Sequence, residues 1–220
     1  MKVLVIGASR GIGLEFVRQY SARRHAVTAT ARDGAGLERI RAFGAHALQL
    51  DIVNANSVSA LAARIRGAAF DVVGVSAGVG LALGAPEVPS EQVFDNVMHA
   101  TVLGPMRLMQ PIADALAPGA KLALLSSLMG SIGARGETSH WVYRASKAAL
   151  NSVLKDVSLL FGPRAICVSL HPGWVRTDMG GADADLDVLE SVAGMREVID
   201  GLRPEDTGGF RNFDGASIEW

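Results

Sequence analysis

The chain has 220 residues, with 21 Lys plus Arg against 22 Asp plus Glu, so its formal charge is −1. A hydrophobic fraction of 49% excludes disorder, and the balanced charge argues against a nucleic-acid partner, which needs a basic excess for the phosphates. One cysteine, Cys167, excludes an internal disulfide framework and a Cys-rich metal site.

The least polar stretches, Val72–Ala85 and Leu122–Ala134, fall short of the about 20 residues a bilayer helix needs. The apolar run Val3–Ile6 is too short for a secretion signal and enters a glycine turn. These features predict a cytoplasmic protein with no membrane partner. His25, His46 and His140 lack ligand spacing, so no metal site is expected.

In chain order, short apolar runs alternate with amphipathic ones. Val3–Ile6, Ala26–Ala31, Ala45–Leu50, Phe70–Val75, Lys121–Leu125 and Ala165–Leu170 read as strands. Several are apolar at nearly every position, as in a parallel sheet buried on both faces. Ile12–Arg24, Gly36–Phe43, Ser57–Arg66, Glu91–Leu116 and Tyr143–Phe161 carry helical spacing. Ser57 and Ser90 are expected N-caps, and Gly119 is expected to end the fourth helix. Pro172–Asp187 reads as a loop, Asp187–Leu202 as a short helix and Phe210–Phe213 as a last edge strand. The alternation predicts an α/β fold: a doubly wound parallel sheet (Rossmann fold) of about seven strands, with helices on both faces. No linker divides the chain, so residues 1–220 are expected to form one domain carrying both cofactor and catalytic sites.

Between the first strand and first helix stands Gly7-Ala8-Ser9-Arg10-Gly11-Ile12-Gly13. Glycines there permit a tight turn and close approach of a phosphate, and the helix start offers free N–H groups and a positive dipole end. A glycine turn in this position points to a dinucleotide. The second strand ends in Ala31-Arg32-Asp33. Arg32, with Arg10 within reach, favours the 2′-phosphate of NADP(H). If Arg32 is only solvated, Asp33 would take the ribose and the cofactor would be NAD(H). Asp51, after the third strand, either edges the adenine or caps the following turn.

Tyr143 and Lys147 are four residues apart and share a helix face. A nearby ammonium favours the phenolate, making tyrosine a usable proton donor to a carbonyl or acceptor from an alcohol. Taken alone, the pair could equally lie on the surface. Ser126 and Ser127 end the preceding strand, where a hydroxyl can meet the substrate oxygen or simply cap a turn. His171 and Cys167 read as packing residues, and Trp141 and Trp174 as walls of an apolar mouth.

Together these motifs, in this order, resemble a short-chain dehydrogenase/reductase of the single-domain branch over nearly all 220 residues. Ser146–Asn151 and the tail Phe213-Asp214-Gly215…Trp220 look most like its C-factor subgroup. The resemblance implies that Gly7, Ser9, Arg10, Gly11, Ile12 and Gly13 hold the cofactor phosphates. It implies that Arg32 selects NADP(H) and that Asp51 and Ile52 flank the adenine. Ala77 and Gly78 would form the turn after the fourth strand. Pro172, Gly173, Val175 and Thr177 would line the nicotinamide, and Lys147 would also hold its ribose. Ser127, Tyr143 and Lys147 match the catalytic serine, tyrosine and lysine.

The implied activity is interconversion of a small-molecule carbonyl and alcohol. The implied assembly is a homodimer or homotetramer across the fourth and fifth long helices, with Ala145, Ala149 and Val153 allowing close approach.

Two positions depart from the family pattern. Ser76 stands where asparagine is usual, and Thr101 stands where the family has the asparagine that completes its tetrad. Thr101 lacks the amide's paired donor and acceptor, so a slowed proton relay is expected. With the subgroup likeness, it raises a second reading: a cofactor-binding signalling or sensor protein with weak or no turnover.

Overall fold

The structure is a computed structural model describing residues 1–76, 78 and 88–220; Ala77 lies outside the described residues. The strands are β1 (Lys2–Ile6), β2 (Ala26–Ala31), β3 (His46–Gln49), β4 (Phe70–Val75), β5 (Leu116–Leu125), β6 (Ala165–His171) and β7 (Gly209–Asn212). The helices are α1 (Gly11–Ala22), α2 (Gly34–Ala42), α3 (Ala55–Ile65), α4 (Glu91–Met98), α5 (Gly104–Ala113), α6 (Trp141–Phe161) and α7 (Val188–Gly201). All seven strands pair in parallel, in the order β3-β2-β1-β4-β5-β6-β7.

Alternate side chains of each inner strand feed opposite faces. Leu4 and Ile6 of β1 pack with Leu61, Leu108 and Leu154 on one side. Val3 and Val5 pack with Phe16, Ile40 and Met195 on the other. This period-two split is why these strands are apolar throughout. The chain reverses its direction of travel across the sheet between β1 and β4, the position at which doubly wound sheets open a crevice at their carboxyl ends.

Several boundaries differ from expectation. Helix α3 begins at Ala55 because Asn54, not Ser57, is its cap; the Asn54 side chain accepts from the N–H groups of Asn56 and Ser57. Ser57 instead accepts from the Asp51 N–H. Ser90 does cap α4, accepting from Val93.

The expected single helix Glu91–Leu116 is two helices joined by a π-helical stretch, His99–Leu103. It ends at Ala113, so Gly119 does not terminate it. Gly119 (φ +72°) lies in the early part of β5, where the register against β4 shifts between Phe70 and Val72. Val153, expected between two copies, is buried in the core of its own chain beneath α6.

Phe213 lies beyond β7. Residues after it turn back, with Ile218 N–H donating to Phe210 O and the Trp220 ring stacked on Phe210 at 5.4 Å. The same tail is tied to the loop after β5. Ser131 Oγ donates to Glu219 O at 2.6 Å, and the N–H groups of Ile132 and Gly133 donate to Trp220 O.

Candidate active site

A cleft of about 370 Å³ runs along the carboxyl ends of β1–β6. The glycine turn forms one end. Thr30 Oγ1, buried on β2, accepts from Gly7 N–H at 3.0 Å, and Arg39 donates to Ser9 O at 2.7 Å, so the turn is braced from both sides. Gly7 and Gly11 have left-handed backbones, φ +82° and +53°, which side chains rarely adopt. Gly13 serves packing: a Cβ there would meet Gly7 O at 2.2 Å.

Helix α1 has no side-chain cap and no acidic residue in its first turn, whereas Asp33, Asn54, Ser90 and Asp187 cap α2, α3, α4 and α7. Helices α5 and α6 also lack such a cap, but in α1 the first-turn residues Gly11 and Ile12 line the cleft, where free N–H groups suit an anion.

Arg32, Asp51, Ile52 and Gly78 line the cleft. Asp51 also caps its own turn, accepting from Val53 N–H. The Asp33 carboxylate is taken by the α2 cap, accepting from Gly36 N–H at 2.7 Å.

Tyr143 and Lys147, one turn apart on α6, line the other end. Lys147 is buried; its Nζ donates to Leu125 O at 2.9 Å and lies 5.8 Å from the centre of the Tyr143 ring. Burial without a carboxylate partner pulls the Lys147 pKa down to about 8. Tyr143 was expected to have a depressed pKa. Here burial raises it above the ordinary value, with a hydrogen bond to Ser127 working the other way. A half-buried phenol beside an incompletely solvated ammonium stays protonated at neutral pH.

Ser126 lines the cleft directly, its buried hydroxyl unpartnered, while Ser127 does not line it; its hydroxyl accepts from Met129 N–H and acts on the titration of Tyr143. His171 is held neutral, its pKa lowered to about 4, mainly by burial.

Pro172 and Thr177 line the cleft, but Gly173 and Val175 do not. Val175 is buried and bridged to Leu186, and a Cβ on Gly173 (φ +83°) would press on Leu186 at 2.9 Å. Sequence reasoning missed Thr30, Arg176, Asp178 and Met179. The last three stand in a loop brought to the cleft only by the fold. Thr101 is fully buried in the π-helical stretch, its hydroxyl without a partner.

Among the described residues there is no cluster of metal-ligating side chains, and no helix is long and apolar enough to cross a membrane.

A model of the short chain dehydrogenase family matches residues 1–187. The chain belongs to this oxidoreductase family. C-signal of Myxococcus xanthus is 44% identical over 121 residues, 54% of this chain and 73% of that protein. The 1-hydroxy-2-glutathionyl-2-methyl-3-butene dehydrogenase of Rhodococcus sp. (strain AD45) is 33% identical over 229 residues, covering 99% of each chain. Among solved structures, the carbonyl reductase Sniffer of D. melanogaster has a TM-score of 0.90 at 29% identity, covering 100% of this chain and 99% of its own. The NADPH-bound carbonyl reductase from chicken fatty liver has a TM-score of 0.88 at 31% identity, covering 100% and 98%. Within the family, the uncapped α1, the braced glycine turn and the Tyr143–Lys147 pair all open into one cleft.

Proposed function

We propose that the protein is an NADP(H)-dependent reductase of carbonyl compounds, or the reverse alcohol dehydrogenase, with residues 1–220 acting as one domain. The observation that carries this reading is the placing of Tyr143 and buried Lys147 in the cleft that the glycine turn opens.

The residues fit a dinucleotide. The N–H groups at the start of α1, with Gly7, Ser9, Gly11 and Ile12, would hold its phosphates. Two observations favour NADP(H) over NAD(H): Asp33, the carboxylate that would take a ribose, is spent on a helix cap, and Arg32 has no ion-pair partner among the described residues. The NADPH in the chicken reductase supports the same choice. When bound, the cofactor supplies the hydride, and the protein supplies position and proton.

Tyr143 Oη would give its proton to the carbonyl oxygen. Ser127, beside Tyr143, would orient that oxygen, with Ser126 close behind. Lys147, fixed by Leu125 O, would hold positive charge beside the phenol as it loses its proton. Pro172 and Thr177 would wall the nicotinamide end.

We further propose a homodimer or homotetramer in the cytoplasm, using the outward faces of α4–α6, where Phe94, Met106 and Trp141 are exposed. Sedimentation at several concentrations tests this.

The test of function is a tryptophan fluorescence titration with NADPH and NADH, followed by a carbonyl panel with NADPH. Tyr143→Phe should keep binding and lose about 10²–10⁴-fold in turnover. Tight binding without turnover on any carbonyl would favour the sensor reading, to which the match with C-signal lends its weight.

A further inference from the structure

Two guanidinium groups line the glycine-turn end of the cleft, and they are not equivalent. Arg32 has no ion-pair partner among the described residues. Arg10 has one: its NH1 lies 3.0 Å from Asp178 Oδ2. The pair joins the turn before α1 to the loop after β6 and so spans the cleft mouth.

The loop passes close to the turn and is folded back on itself. Thr177 Cγ2 would lie 3.5 Å from a Cβ on Gly11, and the Thr177 hydroxyl accepts from Gly180 N–H at 3.1 Å. The other charged groups nearby are engaged elsewhere. Asp33 caps α2, Arg39 donates to Ser9 O, and Arg176 donates to the carbonyls of Ala184 and Asp185 and lies 3.8 Å from Asp187. Asp178 is therefore the carboxylate that neutralises Arg10.

We propose that Asp178 is a cofactor-selectivity residue: it competes with the 2′-phosphate of NADP(H) for Arg10 and so narrows the discrimination against NAD(H). The inference rests on the dinucleotide reading above. A phosphate and a carboxylate seek the same N–H fork of a guanidinium. NAD(H) carries no 2′-phosphate and does not enter this competition.

Both side chains are about 70% exposed, 70% for Arg10 and 73% for Asp178, so the pair is a solvated one. Its release is worth about 1.5- to 5-fold in an equilibrium constant, the range of exposed ion pairs. Removing the carboxylate also relieves repulsion toward the diphosphate, but that gain is common to both cofactors. The ratio of the NADH Kd to the NADPH Kd isolates the Arg10 contribution.

The experiment measures both dissociation constants by tryptophan fluorescence for the wild type, Asp178→Asn, Asp178→Ser, Arg10→Met and Arg10→Met with Asp178→Asn. Removing the carboxylate should raise the ratio about 1.5- to 5-fold at low salt, and the gain should shrink at about 1 M salt, where screening acts over about 3 Å. In the Arg10→Met background the gain should vanish, as a double-mutant cycle requires.

An unchanged ratio, or an equal gain without Arg10, overturns the proposal. Weaker NADPH binding also overturns it, because the pair would then be clasping the bound cofactor. If the wild type binds neither dinucleotide, the functional reading itself falls and this inference falls with it.

Discussion

Gly130 is where the turn carrying Ser127 meets the helix carrying Tyr143 and Lys147. A Cβ there would lie 2.9 Å from both the carbonyl carbon and the Cβ of Lys147. Both atoms belong to or adjoin helix backbone, so they have little room to yield. Carbon atoms rest at about 3.5 Å or more, so Gly130→Ala must open this contact by about 0.6 Å. Overpacking of this kind costs about 1–3 kcal/mol. For a chain of this size each kcal/mol moves Tm by about 2–4 °C, so a fall of about 2–12 °C is expected.

The displacement separates Ser127 from Tyr143, while the glycine turn lies on β1, away from the contact. A misplacement of 1 Å can cost about 100-fold in rate, so this smaller one should lower kcat by about tenfold and leave NADPH affinity little changed. Differential scanning fluorimetry, NADPH titration and steady-state kinetics read the three quantities. An unchanged Tm with an unchanged kcat would refute the reasoning. So would loss of cofactor binding in proportion to kcat, which would place the damage in the fold as a whole.

Lys147→Met removes a buried charge. Because the Lys147 pKa falls from 10.5 to about 8 on folding, the unfolded chain binds the extra proton between those values. Wild-type stability should therefore be penalised below about pH 8 and rise as pH climbs from about 8 toward 10.5. The variant should melt higher at pH 7 and lose that slope, as thermal melts across pH will show. With Tyr143 raised above its ordinary value, carbonyl reduction should hold level through neutral pH, while alcohol oxidation should increase toward the alkaline side; a pH-independent oxidation rate would contradict this. Thr101→Asn puts an amide where a buried hydroxyl has no partner, and it should raise turnover with NADPH affinity unchanged. Equal turnover in the two proteins would remove Thr101 from the proton path.

The glycine turn, the Tyr143–Lys147 spacing and the alternation of strands and helices were legible because each is a local pattern with a local cause. The period-two division of β1 between two cores follows directly from its unbroken apolar run. Other features depend on competition between near-equals. Asn54 and Ser57 are both good caps; in the fold the Ser57 hydroxyl accepts from Asp51 N–H instead, and Asn54 takes the cap. Five residues of π-helix, His99–Leu103, leave no distinct periodicity in the sequence. Val153 and Ala149, both expected at an interface between copies, pack instead on the core of their own chain, because the packing of α6 on the sheet turns that face inward. The Arg10–Asp178 pair joins positions 168 residues apart, a separation across which no local pattern reaches.

The tail offers a last point. Ser131, Ile132 and Gly133 are fastened to Glu219 and Trp220, and the Trp220 ring rests on Phe210 of the edge strand. The segment so fastened lies between Ser127 and Tyr143, so its position answers to residues some ninety positions later in the chain. The last two residues of the chain therefore act as a brace on this segment, and their loss should loosen it before it disturbs the glycine turn, which makes no contact with the tail among the bonds described.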